Sequence, residues 1–131
     1  FALRSSFACF GAVLAEAYNK VYAEHDATAH AEIVAIRLAG KKLESRSLAG
    51  CTLYTSCEPC PMCFSAAYFA KIERIVFAAS HEDAGRIAGF GMENLYAELA
   101  KEPLNRRPGH EQMLREEGFA PFELWRKRKE E

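Results

Sequence analysis

The sequence predicts a layered α/β domain, and two features of its pattern carry that prediction. Short runs rich in β-branched and aromatic residues alternate with longer segments in which apolar residues recur at helical spacing. Half of the 131 residues are apolar, which suffices for one compact core and leaves no room for a second. Strands separated by helices are typical of a sheet with parallel neighbours joined by helical crossovers.

The elements can be assigned in chain order. We predict a strand, a helix, a strand, a helix and a strand at residues 10–14, 30–43, 51–55, 59–70 and 74–78. Beyond Ser80 the pattern is mainly helical, with helices expected at residues 93–101, 110–117 and 122–129. Residues 15–18 contain none of the residues that tight hairpins use. We therefore expect that a hairpin loop is missing between Leu14 and Asn19.

The charge balance argues against a protein that holds nucleic acid mainly through its phosphates. The chain contains 17 Lys and Arg residues and 18 Asp and Glu residues, which gives a net charge of −1. The basic run at residues 126–129 is followed by two glutamates, as is typical of a solvated helix end. No apolar stretch approaches the roughly 20 residues of a membrane span, and no secretory leader is visible. We expect no membrane contact.

Two short motifs carry the strongest chemical signal, H-A-E at residues 30–32 and P-C-P-M-C at residues 59–63. Both are expected to open helices, the second because its prolines suit a helix start. Cys60 and Cys63 then lie one turn apart on one face, where their sulfurs converge on one ion. One imidazole and two thiolates leave a zinc ion with one position open for water, as in catalytic sites. The predicted ligands are His30, Cys60 and Cys63.

Glu32 is the predicted catalytic acid and base of this site. We expect its helix to start at His30, with Thr28 as the N-cap. A carboxylate that is not a ligand can take a proton from water at the metal, pass it to a ring nitrogen and then protonate a leaving amine. The spacing H-x-E…P-C-x-x-C is the known signature of zinc-dependent base deaminases. The sequence therefore predicts a hydrolytic deaminase, a zinc-dependent hydrolase of C–N bonds.

Cys57 leaves another assignment open. With Cys60 and Cys63 it forms a C-x-x-C-x-x-C run that resembles part of an iron–sulfur motif, but Cys9 and Cys51 have no suitable spacing for a fourth ligand. If Cys57 closed the zinc tetrahedron, the site would be structural. We expect its side chain to point into the core. An odd number of cysteines with metal-type spacing fits a reducing compartment, so we predict a cytoplasmic protein.

The motifs and their context resemble the cytidine and deoxycytidylate deaminase superfamily, most closely its bacterial guanine deaminase branch. The resemblance lies in D-A-T-A-H-A-E-I at residues 26–33 and L-Y-T-S-C-E-P-C-P-M-C at residues 53–63, and continues through residues 17–21, 88–90 and 122–126. It implies a three-layer α/β/α cytidine-deaminase-like fold with a mixed central sheet flanked by helices. Residues 1–131 would form one zinc-dependent deaminase domain with a C-terminal helical tail at about 110–131.

The resemblance also implies roles for individual residues. One zinc ion per chain would bind His30, Cys60 and Cys63, with Glu32 shuttling protons. The substrate contacts that it implies are a hydrogen bond from Asn19 to a ring carbonyl, a contact from the backbone of Ala31, and stacking or a pocket wall from Phe10.

Two departures from the family pattern fall on substrate recognition. Guanine deaminases usually carry an acidic residue after Gly-Phe, whereas here Phe90 is followed by Gly91 and Met92. Glu93 then either replaces the missing acid or is a solvated residue that opens a helix. The family also closes its pocket with a C-terminal aromatic residue, whereas this chain ends in two glutamates.

The reaction predicted first is conversion of guanine to xanthine with release of ammonia. A pocket altered at one carboxylate would instead accept isocytosine, an aminotriazine, another aminopyrimidine or a nucleoside. Two further alternatives are a tRNA adenosine deaminase, which shares T-A-H-A-E and a basic final helix, and a non-catalytic protein that keeps zinc for folding. We expect a small-molecule partner and a homodimer in which the tail helix, with Phe119, Phe122 and Trp125, packs near an active site.

Overall fold

The computed structural model describes residues 3–9 and 11–130, with the backbone alone for residues 4–9 and 130. The strands in this part of the chain are β1 (Arg4–Cys9), β2 (Ala12–Tyr18), β3 (Cys51–Cys57) and β4 (Arg74–Ala79). The α-helices are α1 (Val21–Glu24), α2 (Ala31–Leu43), α3 (Pro61–Phe69), α4 (His81–Ala88), α5 (Glu93–Leu99) and α6 (Ala120–Glu130). The chain divides into two compact units, one ending at Glu93 and one beginning at Asn94.

The strands form one mixed sheet in the order β2-β1-β3-β4. Strand β1 runs antiparallel to both β2 and β3, whereas β3 and β4 are parallel and are joined by α3. The predicted helical crossover is therefore confirmed for β3-α3-β4. The expectation that β2 and β3 are adjacent parallel strands is wrong. Strand β1, which the sequence pattern did not predict, lies between them.

The expected break after Leu14 is wrong, because β2 runs without interruption from Ala12 to Tyr18. Its pairing with β1 passes from Val13 to Ala15, so that the register shifts by one residue at Leu14. The irregular sequence at this point therefore reflects a β-bulge and not a missing loop. The chain reverses before β2 instead, where Gly11 has a φ of 82° that a residue without a side chain adopts at low cost. The predicted residue Phe10 lies outside the described residues.

The core of the first unit lies between the sheet and α2, which packs across β1 and β2. Small side chains on α2, among them the fully buried Ala35 and Ala39, let the helix approach the strands closely. Leu53 on β3 and Leu48 before it fill the space beneath. Because β3 and α2 each lead to or from one predicted motif, this packing fixes the two motifs relative to each other.

The cysteines differ in their chemical state. Cys51 is disulfide-bonded, which the metal-type spacing of the other cysteines did not predict. Cys57, Cys60 and Cys63 are free thiols. Cys57 is half-buried rather than inside the core as expected.

The second unit contains α6, with 3-10 turns at Pro103–Asn105 and Glu117–Phe119. The helix predicted at residues 110–117 is wrong, since residues 110–114 have no helical structure and Leu114 has a left-handed φ of 50°. The other predicted helices are present. None of the helices within the described part of the chain combines the length and apolarity needed to cross a membrane.

Candidate metal centre

Both motifs lie at helix starts, as predicted. His30 is the N-cap of α2 and Cys60 is the N-cap of α3, each with extended backbone. Pro61 occupies the first position of α3, where its missing N–H costs no helical hydrogen bond. Thr28 is not the N-cap: its N–H and hydroxyl both donate to Asp26, at 2.8 and 2.7 Å, in the turn before the helix.

The geometry brings His30, Cys60 and Cys63 together. Their potential ligand atoms all lie within 4.8 Å of one another. His30 Nδ1 is 3.7 Å from Cys60 Sγ and 3.5 Å from Cys63 Sγ. Tetrahedral zinc with ordinary Zn–N and Zn–S bonds requires an N···S separation of about 3.6 Å. The donor set and its spacing fit one zinc ion, and Cys57 is not a member of this group.

The electrostatics of the two sulfurs also favour a cation. Hydrogen bonding from the Cys63 thiol, helped by His30, lowers the pKa of Cys60 to about 4 despite burial. The same hydrogen bond raises the pKa of Cys63, and burial raises it further. Without a metal, the pair thus holds one thiolate and one thiol. A divalent cation would release the second proton, because a coordinating thiol is deprotonated.

Glu32 lies in the first turn of α2 and is 8% exposed, the one buried charged side chain among the described residues. Burial raises the pKa of its carboxyl, while the charge of His30 and a hydrogen bond from Cys63 lower it. Glu32 therefore lies beside the three potential ligands without belonging to their group. Burying a carboxylate is costly, which points to a role in the site.

The loop that carries Cys60 is tied to the start of α4 by contacts that the sequence analysis missed. Glu58 N–H donates to the Ala79 carbonyl at 2.8 Å, and the Glu58 carboxylate accepts from His81 N–H at 2.9 Å. His81 Nε2 donates to the Pro59 carbonyl at 3.1 Å. These bonds fix the backbone on both sides of Pro59. The sequence feature that could have indicated these contacts is Glu58, an acidic residue two positions before the predicted ligand Cys60.

The other predicted contact residues have different surroundings. Asn19 is half-buried, and its Oδ1 accepts from Val21 N–H at 3.1 Å. The next residue, Lys20, donates its N–H to the Ala29 carbonyl at 2.9 Å, which brings this segment to the residue before His30. Ala31 is buried at the first position of α2, where its N–H has no intrahelical acceptor.

Met92 is a site residue that the sequence analysis did not identify. It packs against the buried cluster of Ile33, Cys60 and Cys63. The segment after α4 therefore returns to the metal centre. Glu93, which follows Met92, is exposed and opens α5 as its first residue.

Comparisons with known proteins agree with this geometry. A sequence model of the cytidine and deoxycytidylate deaminase zinc-binding region matches residues 7–79, which include His30, Cys60 and Cys63. The chain is 45% identical over 116 residues to guanine deaminase of Bacillus subtilis (strain 168), covering 88% of this chain and 74% of that protein. A crystal structure of guanine deaminase from Bacillus subtilis matches with a TM-score of 0.90 and 42% identity, covering 95% of this chain and 79% of that one.

Other relatives match less of their own length. A tRNA-specific adenosine deaminase of Aquifex aeolicus is 36% identical over 97 residues, covering 74% of this chain and 61% of that protein. A solved mutant protein in complex with 8-azaguanine is 33% identical with a TM-score of 0.65, covering 70% of this chain and 53% of that one. The structural matches confirm the predicted fold with its mixed sheet.

Proposed function

Because this chain belongs to the cytidine and deoxycytidylate deaminase family and is a zinc-dependent hydrolase of C–N bonds, we propose that it deaminates free guanine to xanthine. One observation carries the proposal. A buried glutamate lies beside an imidazole and two sulfurs spaced for zinc, in a chain that resembles a guanine deaminase along nearly its whole length. Guanine and water would give xanthine and ammonia.

The proposed catalytic roles follow from the chemistry of these side chains. His30, Cys60 and Cys63 would hold zinc, which when bound supplies a Lewis acid that makes water nucleophilic near neutral pH. Glu32 would take one proton of that water and deliver it to the ring nitrogen beside the attacked carbon, and would then move the proton of the new hydroxyl on that carbon to the departing amine, so that a carbonyl forms as ammonia leaves. Its burial supports this role, because bulk water is kept from the carboxyl while the proton is transferred.

The proposed substrate contacts use donors near the start of α2. Asn19 Oδ1 already accepts from Val21, so the amide nitrogen is the end that would donate to a ring carbonyl. The Ala31 N–H would donate to the base because it lacks an intrahelical acceptor. Phe10 remains a predicted wall of the pocket. Hydrogen bonds of this kind strongly lower kcat/KM for analogues that lack the matching group.

The test measures ammonia release from zinc-loaded protein with guanine, isocytosine, cytosine, adenine, an aminotriazine and their available nucleosides. We expect guanine to react fastest. Strong preference for another ring would refute guanine as substrate. Conversion of adenosine in tRNA, with binding that weakens steeply as salt rises, would support the tRNA deaminase alternative.

Replacement of Glu32 tests the catalytic assignment. Glu32→Gln keeps the side-chain shape, so the fold and bound zinc should persist while turnover falls about 100- to 10,000-fold. Glu44→Gln, at the exposed C-cap of the same helix, is the matched control and should retain activity. If Glu32→Gln binds zinc and turns over guanine within tenfold of wild type, another group moves the protons.

We also propose that the protein is a cytoplasmic homodimer. Exposed aromatic side chains on the second unit support a homodimer, with Phe122 75% and Trp125 60% exposed. Free thiols at Cys57, Cys60 and Cys63 support a reducing compartment, although Cys51 is disulfide-bonded. Light scattering across a concentration series would detect the dimer.

A further inference from the structure

The turn before α2 is organised around the side chain of Asp26. Its Oδ1 atom accepts two hydrogen bonds from Thr28, one from the backbone N–H at 2.8 Å and one from the hydroxyl at 2.7 Å. The Asp26 carbonyl accepts a further hydrogen bond from Ala29 N–H at 3.0 Å. Asp26 therefore holds the two residues that directly precede His30.

These contacts reach His30 through the backbone. The Thr28 carbonyl accepts from His30 N–H at 2.8 Å. The next residue, Ala29, is fully buried, and its carbonyl accepts from Lys20 N–H at 2.9 Å. A short chain of hydrogen bonds thus connects Asp26 Oδ1, through Thr28, to the backbone of a predicted zinc ligand.

His30 depends on this support because its side chain does not cap its own helix. An N-cap side chain commonly fixes the helix start by accepting from a backbone N–H of the first turn. His30 is the N-cap of α2 but makes no such bond. Its Nδ1 instead lies 3.7 Å from Cys60 Sγ and 3.5 Å from Cys63 Sγ. The preceding turn is therefore what fixes the backbone at this helix start.

The second oxygen of the Asp26 carboxylate faces α2 itself. Asp26 Oδ2 lies 3.7 Å from the guanidinium of Arg37, which is two helical turns beyond His30. Both side chains are partly exposed, so this ion pair contributes little. The hydrogen bonds from Thr28 are short by comparison, and they lower the pKa of the Asp26 carboxyl. The bonds to Thr28 are therefore the main contact of this carboxylate.

We infer that Asp26 is a positioning residue of the metal centre, which through Thr28 holds the backbone of His30 in the conformation from which the imidazole binds zinc. Asp26 is not itself a member of the group of potential ligands in the described part of the chain. The inference concerns the formation of the zinc site and does not depend on which base is the substrate.

Replacement of Asp26 with and without an acceptor oxygen tests this role. In Asp26→Ala the turn loses both bonds from Thr28, so the dissociation constant for zinc should rise about tenfold in competition with a chromophoric chelator. Asp26→Asn keeps an oxygen that accepts the same two bonds and should bind zinc within about threefold of wild type. Glu24→Ala is the matched control, because this exposed acid pairs with Lys20 at 3.1 Å, and it should bind zinc as wild type does.

Two further measurements separate positioning from a purely structural role. A group that only stabilises the fold contributes equally to the metal-free and the zinc-loaded protein, whereas a group that positions a ligand contributes more to the zinc-loaded one. Urea titrations should therefore show a larger loss for zinc-loaded than for metal-free Asp26→Ala. The absorption bands of the Co²⁺-substituted protein report the geometry around the metal, so they should change in Asp26→Ala but not in Asp26→Asn or Glu24→Ala.

Thr28→Val decides the question if Asp26→Ala does not fold. This variant keeps the backbone N–H and the side-chain shape but loses the hydroxyl donor, so the dissociation constant for zinc should rise about threefold. Zinc affinity within twofold of wild type in Asp26→Ala, an equal loss in Asp26→Asn, or unchanged affinity in Thr28→Val would overturn the inference. Absence of guanine turnover in the wild-type enzyme would refute the proposed substrate and leave this inference intact.

Discussion

Removing the Glu58 carboxylate should weaken zinc binding although Glu58 is not a predicted ligand. Its carboxylate accepts from His81 N–H at 2.9 Å, two residues before Cys60. The bond joins the loop before α3 to the first residue of α4. In Glu58→Ala the loop loses that anchor and samples more conformations before the metal binds.

The size of the effect follows from the type of bond. A hydrogen bond to a charged group contributes about 1.5–3 kcal/mol, and this one is partly open to solvent, so we take about 1.5–2 kcal/mol. At about 1.4 kcal/mol per factor of ten, the dissociation constant for zinc should rise roughly 10- to 30-fold. Losses of about 10- to 100-fold are typical when a group that orients a metal ligand is removed.

Competition between the metal-free protein and a chromophoric zinc chelator measures this change directly. Glu82→Ala is the matched control, because it removes an exposed carboxylate from the same first turn of α4. Glu58→Gln keeps an acceptor oxygen and should lie between Glu58→Ala and wild type. Zinc affinity within twofold of wild type in a folded Glu58→Ala protein would refute the reasoning.

Two further predictions concern stability. Leu53 is fully buried on β3, so Leu53→Ala should lower the free energy of unfolding by about 2–5 kcal/mol. Urea titrations measure this change. A loss below about 1 kcal/mol would mean that the core collapses around the missing side chain. Hydrogen bonds from the backbone and side chain of Ser80, and then from Arg86, lower the pKa of Asp83. Because its folded-state pKa lies below the unfolded one, ionised Asp83 stabilises the protein above about pH 4, and this contribution is lost as the pH falls through the folded-state pKa. Melting temperatures of Asp83→Asn should therefore fall below those of wild type at neutral pH and converge with them in acid, and a difference that does not change with pH would contradict a stabilising role of the ionised carboxylate.

Much of the fold was predictable wherever the pattern was local. Helix α2 matches its prediction within one residue, because its apolar spacing is regular and extends over three turns. Strand β1 was not predictable from its short polar run R-S-S-F-A-C, which is held by pairing on both sides. The bulge at Leu14 was misinterpreted as a missing loop, because a register shift leaves no turn residues in the sequence.

The metal centre was predictable for a related reason. Each half of it is a helix start with its potential ligands within four residues, so short motifs specify the local geometry. The fold has only to bring two helix starts together, which a crossover between parallel strands does. The anchoring by Glu58 and His81 escaped prediction, because its hydrogen bonds join residues more than 20 positions apart in the sequence.

The segment after α4 is specified in a different way from the two zinc-binding motifs. The Glu93 carboxylate lies in the volume that a side chain at position 91 would enter, and a sequence records such a volume only as the absence of a side chain. A single methyl group at position 91 would move the acid without touching His30, Cys60 or Cys63. A change at position 91 therefore leaves the residues proposed to hold the metal and move protons in place.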